Sequence, residues 1–223
     1  MKYLMIAVLA ISLTAVACED PAANKTKATV AEPSANSAAN SGSAPTNSAV
    51  PLQTKGEALS VNSENSKVEF TGSKVTGKHE GGFKLLSGVI DLVDDKADQS
   101  SVTVDIDTAS VFADDEKLTG HLRSPDFFDV EKYPKASFRS TKIVADRSKG
   151  ADHFIVTGDF DLHGVTKSIS FPAVIKVEDS AVAVNAEFSI NRKDFGIIYA
   201  GKADDLIRDD VVIRLSLTAP RMK

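Results

Sequence analysis

The chain has 223 residues, of which 42% are hydrophobic and 26% charged, with a formal net charge of −5 and a single cysteine. Its lysines and arginines are scattered singly, so the clustered positive charge that a nucleic-acid backbone requires is missing and a nucleic-acid partner is excluded. The lone cysteine also excludes an intrachain disulfide.

Residues 1–17 predict a secretory signal peptide. Lys2 precedes an apolar stretch from Leu4 to Leu13, and small residues follow before Cys18, as in export signals. The stretch is shorter than the roughly 20 residues that a membrane-spanning helix needs. The position of Cys18 resembles that of the lipidated cysteine in bacterial lipoprotein signals. We therefore expect Cys18 to carry a lipid anchor; the alternative is ordinary secretion with a free thiol.

The composition of residues 18–57 predicts a disordered tether. After Cys18 this stretch is rich in Ala, Ser, Asn, Thr and Pro and contains no aromatic residue. Such a segment cannot bury enough apolar surface to offset the entropy lost on ordering. A flexible coil of this length would hold the remaining domain, residues 58–223, roughly 30 Å from a membrane.

Residues 58–223 are dominated by strand patterns. Val102, Val104 and Ile106, for example, alternate with polar residues, which indicates strands with one dry face. A sheet with one dry face must cover it with a second sheet or curl around it. The pattern predicts eight strands, at roughly 67–76, 81–92, 100–107, 135–145, 153–162, 165–177, 181–191 and 210–219.

One short helix interrupts the strand pattern, at residues 114–124. Asp114 or Asp115 would cap its start, and Pro125 would end it. Phe127-Phe128 follow on an expected loop. These rings are either a plug over one end of the dry interior or ordinary core packing.

Three sequence blocks carry a family resemblance. Residues 118–138 read LTGHLRSPDFFDVEKYPKASF, residues 156–172 read VTGDFDLHGVTKSISFP, and residues 190–197 read INRKDFGI. Together they resemble the characteristic blocks of the YceI-like family. The resemblance implies an all-β fold, an eight-stranded antiparallel up-and-down lipocalin-like barrel with one short helix. It also implies binding of a polyisoprenoid chain inside the barrel, in the bacterial periplasm.

The candidate ligand-binding residues are apolar residues at the alternate strand positions that would face the interior. They would remove a hydrocarbon tail from water, at about 0.8 kcal/mol for each buried CH2 group. The alternative is that the same side chains pack on one another as a closed core. These candidates are Phe70, Phe83, Val104, Ile106, Phe138, Phe154, Phe160, Phe171, Phe188, Ile213 and Leu215.

Arg192 is a further candidate because it continues the inward run of Phe188 and Ile190. Its guanidinium would pair with a phosphate head group at the barrel rim. The alternative is an internal salt bridge to Asp194, Asp126 or another carboxylate of the rim.

These observations predict a lipid-binding protein without enzymatic activity, cofactor or metal. Nucleophile elbows, phosphate-binding glycine loops and HExxH patterns are missing from the sequence. We expect a membrane-anchored lipoprotein of the bacterial cell envelope, facing the periplasm, that carries or stores an isoprenoid lipid or isoprenoid quinone. The alternative is a packed barrel without a lipid ligand that serves in envelope stress response or protein interaction. The sequence leaves the oligomeric state open, a homodimer included.

Overall fold

Alternating strands with one apolar face form most of the fold. A computed structural model describes residues 20–33 and 55–221. The single α-helix of these residues is α1 (Glu116–Leu122). In chain order the strands are β1 (Thr29–Ala31), β2 (Glu57–Asn62), β3 (Lys67–Lys74), β4 (Gly77–Phe83), β5 (Leu86–Leu92), β6 (Ser101–Asp107), β7 (Val111–Ala113), β8 (Lys135–Ala145), β9 (His153–Leu162), β10 (Val165–Val177), β11 (Ala181–Asn191), β12 (Gly201–Lys202), β13 (Asp205–Leu206) and β14 (Asp210–Pro220).

The main sheet closes on itself because its first hairpin is bent. β2 and β3 follow each other along one side of this hairpin, and β4 and β5 follow each other along the other. β2 pairs with β5 and β3 pairs with β4, so the bent hairpin counts as two barrel strands. β5 then leads through β6, β8, β9, β10 and β11 to β14, which pairs back onto β3 with Ile213 opposite Phe70. The predicted antiparallel barrel is confirmed, although the strands differ in detail: β2 was not predicted, and the predicted strand 81–92 is divided between β4 and β5 at the bend.

Antiparallel strands place alternate connections at the same end of the barrel. One end, called the helix end here, carries the turn after β3, helix α1, the turn between β9 and β10, and the loop of residues 192–209. The opposite end carries the connections of residues 93–100, 146–152 and 178–180. Helix α1 begins after Asp115, whose carboxylate accepts a hydrogen bond from the Leu118 N–H at 2.7 Å. Asp115 is thus the helix cap, and α1 is shorter at both ends than the predicted helix.

The prediction of disorder throughout residues 18–57 is wrong for residues 20–33, which pack on the barrel wall and are called the strap here. β1, within the strap, pairs antiparallel with β10. Composition misled the prediction because the strap is ordered by strand edges more than 130 residues away in sequence, not by its own apolar content. Residues 1–19, with the predicted signal peptide and Cys18, and residues 34–54 lie outside the described residues.

The strap lies between two strands that diverge toward the helix end. β10 pairs with β11 over Val174–Val177. Nearer the helix end, Val30 of the strap lies opposite Ile169 of β10. On its other side, the Ala28 N–H donates to the Ser189 carbonyl of β11 at 2.8 Å. The strap thus supplies backbone partners to both strands where they no longer pair with each other.

Four ion pairs attach the strap to the barrel. Exposed pairs of this kind contribute at most about 1 kcal/mol each and are screened by salt. The pairs are Asp20 with Arg208 at 3.5 Å, Lys25 with Glu187 at 2.8 Å, Lys27 with Asp210 at 2.7 Å, and Glu32 with Lys167 at 2.6 Å.

Acid is expected to release the strap before the barrel unfolds. The hydrogen bond from Lys25 lowers the pKa of Glu187, and Arg214 lowers it further against the effect of burial. The stabilisation by Glu187 is therefore complete above its ordinary pKa, about 4.3, and is lost as the pH falls through its lower value in the folded protein. Amide exchange between about pH 6 and pH 3 measures the effect, after correction for intrinsic rates. The Ser189 N–H, which donates to Thr26, should lose protection while the amides of β9 keep theirs; simultaneous loss would contradict this prediction.

Candidate functional site

The barrel encloses an apolar cavity of about 190 Å³. Its lining consists of inward-facing aliphatic and aromatic side chains from all the main barrel strands, together with α1 and the loop that follows it. An apolar void of about 150 Å³ is already known to stay dry and to accept one benzene-sized guest. The cavity therefore suits a hydrocarbon group rather than water.

The lining of the cavity extends along most of the barrel, and the cavity is called the channel here. Val182, near one end of β11, and Ile190, near the other, both line it. These positions are eight residues apart, which corresponds to about 26 Å along a strand at 3.3 Å per residue. A volume this small spread over such a length leaves room for a slender guest and excludes a bulky one.

Aromatic rings form much of the channel wall. Phe171 and Phe188 stack with their centroids 4.2 Å apart, and Phe138 tilts against Phe171 at 5.6 Å. At the helix end, Phe83 and Phe128 meet edge to face at 5.4 Å. These rings hold one another in place and present flat apolar surfaces to the interior.

The structure places all but one of the candidate ligand-binding residues around the channel, although their ligand-binding role remains a prediction. The exception is Phe154, which packs half-buried against the edge of the core. Phe154 lies on the predicted face of β9. It is near the start of the strand, however, two residues before Val156, which is the first residue of β9 that lines the channel. The candidates that line the channel are Phe70, Phe83, Val104, Ile106, Phe138, Phe160, Phe171, Phe188, Arg192, Ile213 and Leu215.

Several lining residues escaped the sequence prediction. Phe127 and Phe128 close the helix end of the channel, so they combine the two roles considered for them, plug and core packing. Most of the others lie on the same face of their strands as the predicted residues. The alternation of apolar and polar residues was therefore the signal that could have identified them. Residues of this second kind include Val68, Ile90, Leu92, Val102, Val156, Leu162, Ile169, Ile175, Val182, Val184, Ile190 and Leu217.

Arg192 lies at the helix end of the channel with 4% of its surface exposed. Its Nε donates to the Arg208 carbonyl at 3.1 Å and its Nη1 donates to the Ile197 carbonyl at 2.6 Å. Its Nη2 lies 3.4 Å from both the Ile207 carbonyl and a carboxylate oxygen of Asp209. The internal ion pair considered for Arg192 is thus present, but its partner is Asp209 and not Asp194 or Asp126.

These contacts make Arg192 a brace of the 192–209 loop. Burial lowers the pKa of its guanidinium, and the Asp209 carboxylate opposes part of that shift. A guanidinium has five N–H donors, and four are directed at groups of the protein itself. Bidentate binding of a phosphate would require breaking some of these bonds, so the geometry does not favour a head-group role for Arg192.

A polar surface cleft lies on the outer side of Arg192, between the strap and the 192–209 loop. It has a volume of about 510 Å³, and Arg192 and Ile207 line both it and the channel. The charged groups around it include Asp20, Lys27 and Lys193, each of which has an ion-pair partner. The helix end therefore combines an apolar interior with a charged, internally paired outer wall.

The channel lining is almost entirely apolar. Arg192 is the one charged residue of its lining, and the guanidinium is held by carbonyl groups. Among residues 20–33 and 55–221, no group of three His, Cys, Asp or Glu side chains is arranged to hold a metal ion. In the same part of the chain, no helix combines the length and apolar character needed to cross a membrane.

Comparison with known proteins places the chain among bacterial relatives of the same architecture. A family model described as the YceI-like domain matches residues 59–219. A UPF0312 protein of Pseudomonas putida (strain W619) is 35% identical over 139 residues, which cover 60% of this chain and 71% of the relative. A UPF0312 protein of Pseudomonas savastanoi pv. phaseolicola is 35% identical over 137 residues, or 59% of this chain and 70% of the relative.

Solved structures share the barrel. BcnA of Burkholderia cenocepacia superposes with a TM-score of 0.63 at 26% identity, covering 71% of this chain and 99% of BcnA. The YCEI protein of Campylobacter jejuni gives 0.56 at 25% identity, with coverages of 64% and 85%. A polyisoprenoid binding domain from Saccharophagus degradans gives 0.59 at 20% identity, with coverages of 74% and 100%. At 20% identity, the similarity to the Saccharophagus degradans domain shows a shared fold only.

Proposed function

The chain belongs to the YceI-like domain family, and from that premise we propose that it binds a slender hydrophobic molecule in its barrel. The guest proposed is an isoprenoid lipid or an isoprenoid quinone, which the protein carries or stores. The observation that carries the proposal is the channel, a dry void that runs from Val182 to Ile190. Its shape and lining match an unbranched or methyl-branched hydrocarbon tail.

The energetics of such a guest come from its removal from water. Each CH2-sized group that enters the channel contributes about 0.8 kcal/mol, less the entropy of fixing the chain. The volume of about 190 Å³ is below the roughly 300–1,000 Å³ of typical ligand pockets. A long tail therefore enters by displacing side chains of the lining, which include the stacked rings of Phe171 and Phe188.

The alternative of a packed barrel that acts only through its outer surface has less support. A fully packed interior leaves few voids larger than one water molecule. The channel is more than ten times the roughly 10–15 Å³ that a single water requires. An open interior of this kind costs stability, and binding a guest offsets that cost.

We place the protein in the bacterial cell envelope as a periplasm-facing lipoprotein. The proposal rests on the export signal of residues 1–17 and on Cys18 directly after it. Mass spectrometry of the N-terminal peptide tests it. An acylated Cys18 would support the anchor, whereas an unmodified thiol would reduce the proposal to simple secretion.

Extraction with organic solvent, followed by mass spectrometry, is the direct test of the ligand. Protein purified from its native membrane should release an isoprenoid compound in near-stoichiometric amount. Failure to find one, together with failure to take up an added polyprenyl compound, would remove the carrier function. A bound straight-chain fatty acid would retain the channel as a binding site but reject the isoprenoid assignment.

Gly72→Leu should block the channel without harming the fold. Gly72 continues the inward phase of Val68 and Phe70 and lines the channel, and a Cβ there would meet no atom within 4 Å. The leucine side chain should occupy space that a ligand would use. Lipid uptake should fall at least about tenfold, while the free energy of unfolding stays unchanged or rises by about 1 kcal/mol.

Gly77→Leu is the matched control for Gly72→Leu. Gly77 also has open space around its Cβ position, but it lies at the β3–β4 turn and outside the channel lining. Lipid binding and thermal denaturation of both variants are measured side by side. Equal lipid uptake by both would show that ligand does not occupy the channel near Gly72.

A further inference from the structure

Exposed hydrophobic side chains gather at the helix end of the barrel. Within residues 20–33 and 55–221, the large hydrophobic residues with the most exposed surface are Val75, Leu85, Val144, Ile198 and Leu206. Val75, Ile198 and Leu206 belong to the two connections at the helix end, and their exposed fractions are 56%, 70% and 50%. Val144 lies near the opposite end of β8.

Backbone hydrogen bonds tie these connections together. The Val75 N–H donates to the Leu206 carbonyl at 3.2 Å. The Ile207 N–H donates to the Ala200 carbonyl at 3.0 Å, which folds the part of the loop with Ile198 back toward Leu206. The three hydrophobic residues are thus carried by one connected surface, called the apolar rim here, rather than by independent loops.

Two carboxylates beside the apolar rim are paired with lysine side chains. Lys74 binds Asp205 at 2.6 Å, and Lys193 binds Asp209 at 2.9 Å. Hydrogen bonding from Lys74 lowers the pKa of Asp205, so this carboxylate stays charged and paired near neutral pH. Although the whole chain carries a formal charge of −5, these pairs limit the repulsion between this surface and an anionic membrane.

The strap brings the predicted anchor to the same surface. Arg208 donates its backbone N–H to the carbonyl of Ser73 at 2.8 Å, and Ser73 immediately precedes Lys74 and Val75 in the chain. The Arg208 guanidinium holds Asp20 at 3.5 Å. Cys18 precedes Asp20 by two residues, which span at most about 7 Å. An acyl chain on Cys18 would therefore be confined to the neighbourhood of the rim, in place of the roughly 30 Å reach of a free tether.

We infer that the apolar rim is a membrane-contact surface, which lies on the phospholipid bilayer when Cys18 is anchored there. The inference rests on the lipid anchor in the proposed function. Val75, Ile198 and Leu206 enter the headgroup region, and the helix end of the channel faces the bilayer. A hydrophobic guest that enters or leaves the channel at this end must pass Phe127 and Phe128, which close it.

Single tryptophan reporters test this orientation, because the chain contains no Trp. Ile198→Trp places the reporter in the rim, and Val144→Trp places it on a side chain 44% exposed near the opposite end. The acylated full chain is purified and reconstituted into vesicles of phosphatidylethanolamine and phosphatidylglycerol, with flotation to verify attachment. Brominated phospholipids should quench Ile198→Trp at least threefold more strongly than Val144→Trp, and iodide should show the reverse order. Leu206→Trp provides a second rim reporter.

The possible outcomes distinguish an error in the orientation of the barrel from the absence of the lipid anchor. Stronger lipid quenching of the rim reporters in floating protein supports the inference. Equal lipid quenching of Ile198→Trp and Val144→Trp in floating protein overturns it and leaves the anchor intact. Shielding of the rim from iodide without lipid quenching indicates a protein contact and also overturns it. A chain that carries no acyl group and does not float removes the anchor and the inference together.

Discussion

Arg192→Met should lower the free energy of unfolding by about 3–5 kcal/mol, or the melting temperature by about 10 °C. The change removes the donors that hold the carbonyls of Ile197, Ile207 and Arg208. Buried acceptors without partners account for most of the loss. Thermal and chemical denaturation measure it. Arg192→Lys keeps the charge but cannot reach three divergent carbonyls, so it should recover only part of the stability.

Lys193→Met is the control for this experiment. Lys193 binds the same Asp209 carboxylate at 2.9 Å, but its side chain is exposed to solvent. Its loss should cost less than about 1 kcal/mol. If both variants lost equal stability, the ion pair to Asp209 would be responsible, and the assignment of Arg192 as a brace through carbonyl groups would be wrong.

Phe188→Ala should lower the free energy of unfolding about as much as Arg192→Met. It should also increase the length of the lipid tail that the channel accepts. Phe188 is 3% exposed and stacks on Phe171. Its truncation should cost about 3–5 kcal/mol, because it removes a buried ring and enlarges the void. The larger channel should accept a longer tail, and a ligand that binds the folded state restores stability by mass action. Added polyprenyl compound should therefore raise the melting temperature of Phe188→Ala more than that of the unaltered protein.

Phe112→Ala separates this effect from the loss of any aromatic ring. Phe112 lies in β7 on the outside of the barrel, where Lys84 lies 5.9 Å from its ring centroid. Its truncation should leave the response to polyprenyl compound unchanged. A ligand-induced shift of equal size in both variants would contradict the assignment of Phe188 to the binding surface.

Alternation of apolar and polar residues was sufficient to predict strands with one buried face, whereas the choice of a closed barrel over two packed sheets came from the family resemblance. Val102, Val104 and Ile106 show why: with a period of two, a strand has one buried face wherever its partner lies. The same argument placed Arg192 inward. It could not supply the partner of Arg192, since Asp209 is 17 residues further along the chain, across a loop whose path depends on tertiary contacts. Phe154 shows what else the alternation could not predict. The alternation gives the face of a strand on which a residue lies, but it does not give the length of the channel.

The strap was missed for a different physical reason. Its residues have little apolar surface, and averaged over residues 18–57 the composition indicates disorder. What orders the strap is the divergence of β10 and β11, which leaves backbone groups near Ile169 and Ser189 in need of partners. Only the short alternation around Ala28 and Val30 hinted at a strand, and without knowledge of the divergence it was too brief to stand against the composition.

The strap also changes where this domain begins. The family match starts at residue 59, whereas β1 ends at Ala31. A protein shortened to the matched region would retain the hydrophobic interior but present an unfinished seam in its wall, with exposed strand edges on both sides. Such edges recruit strands from neighbouring molecules. Shortened versions would therefore assemble through the seam as their concentration rises, and the oligomers that formed would be products of the truncation rather than a property of the intact chain.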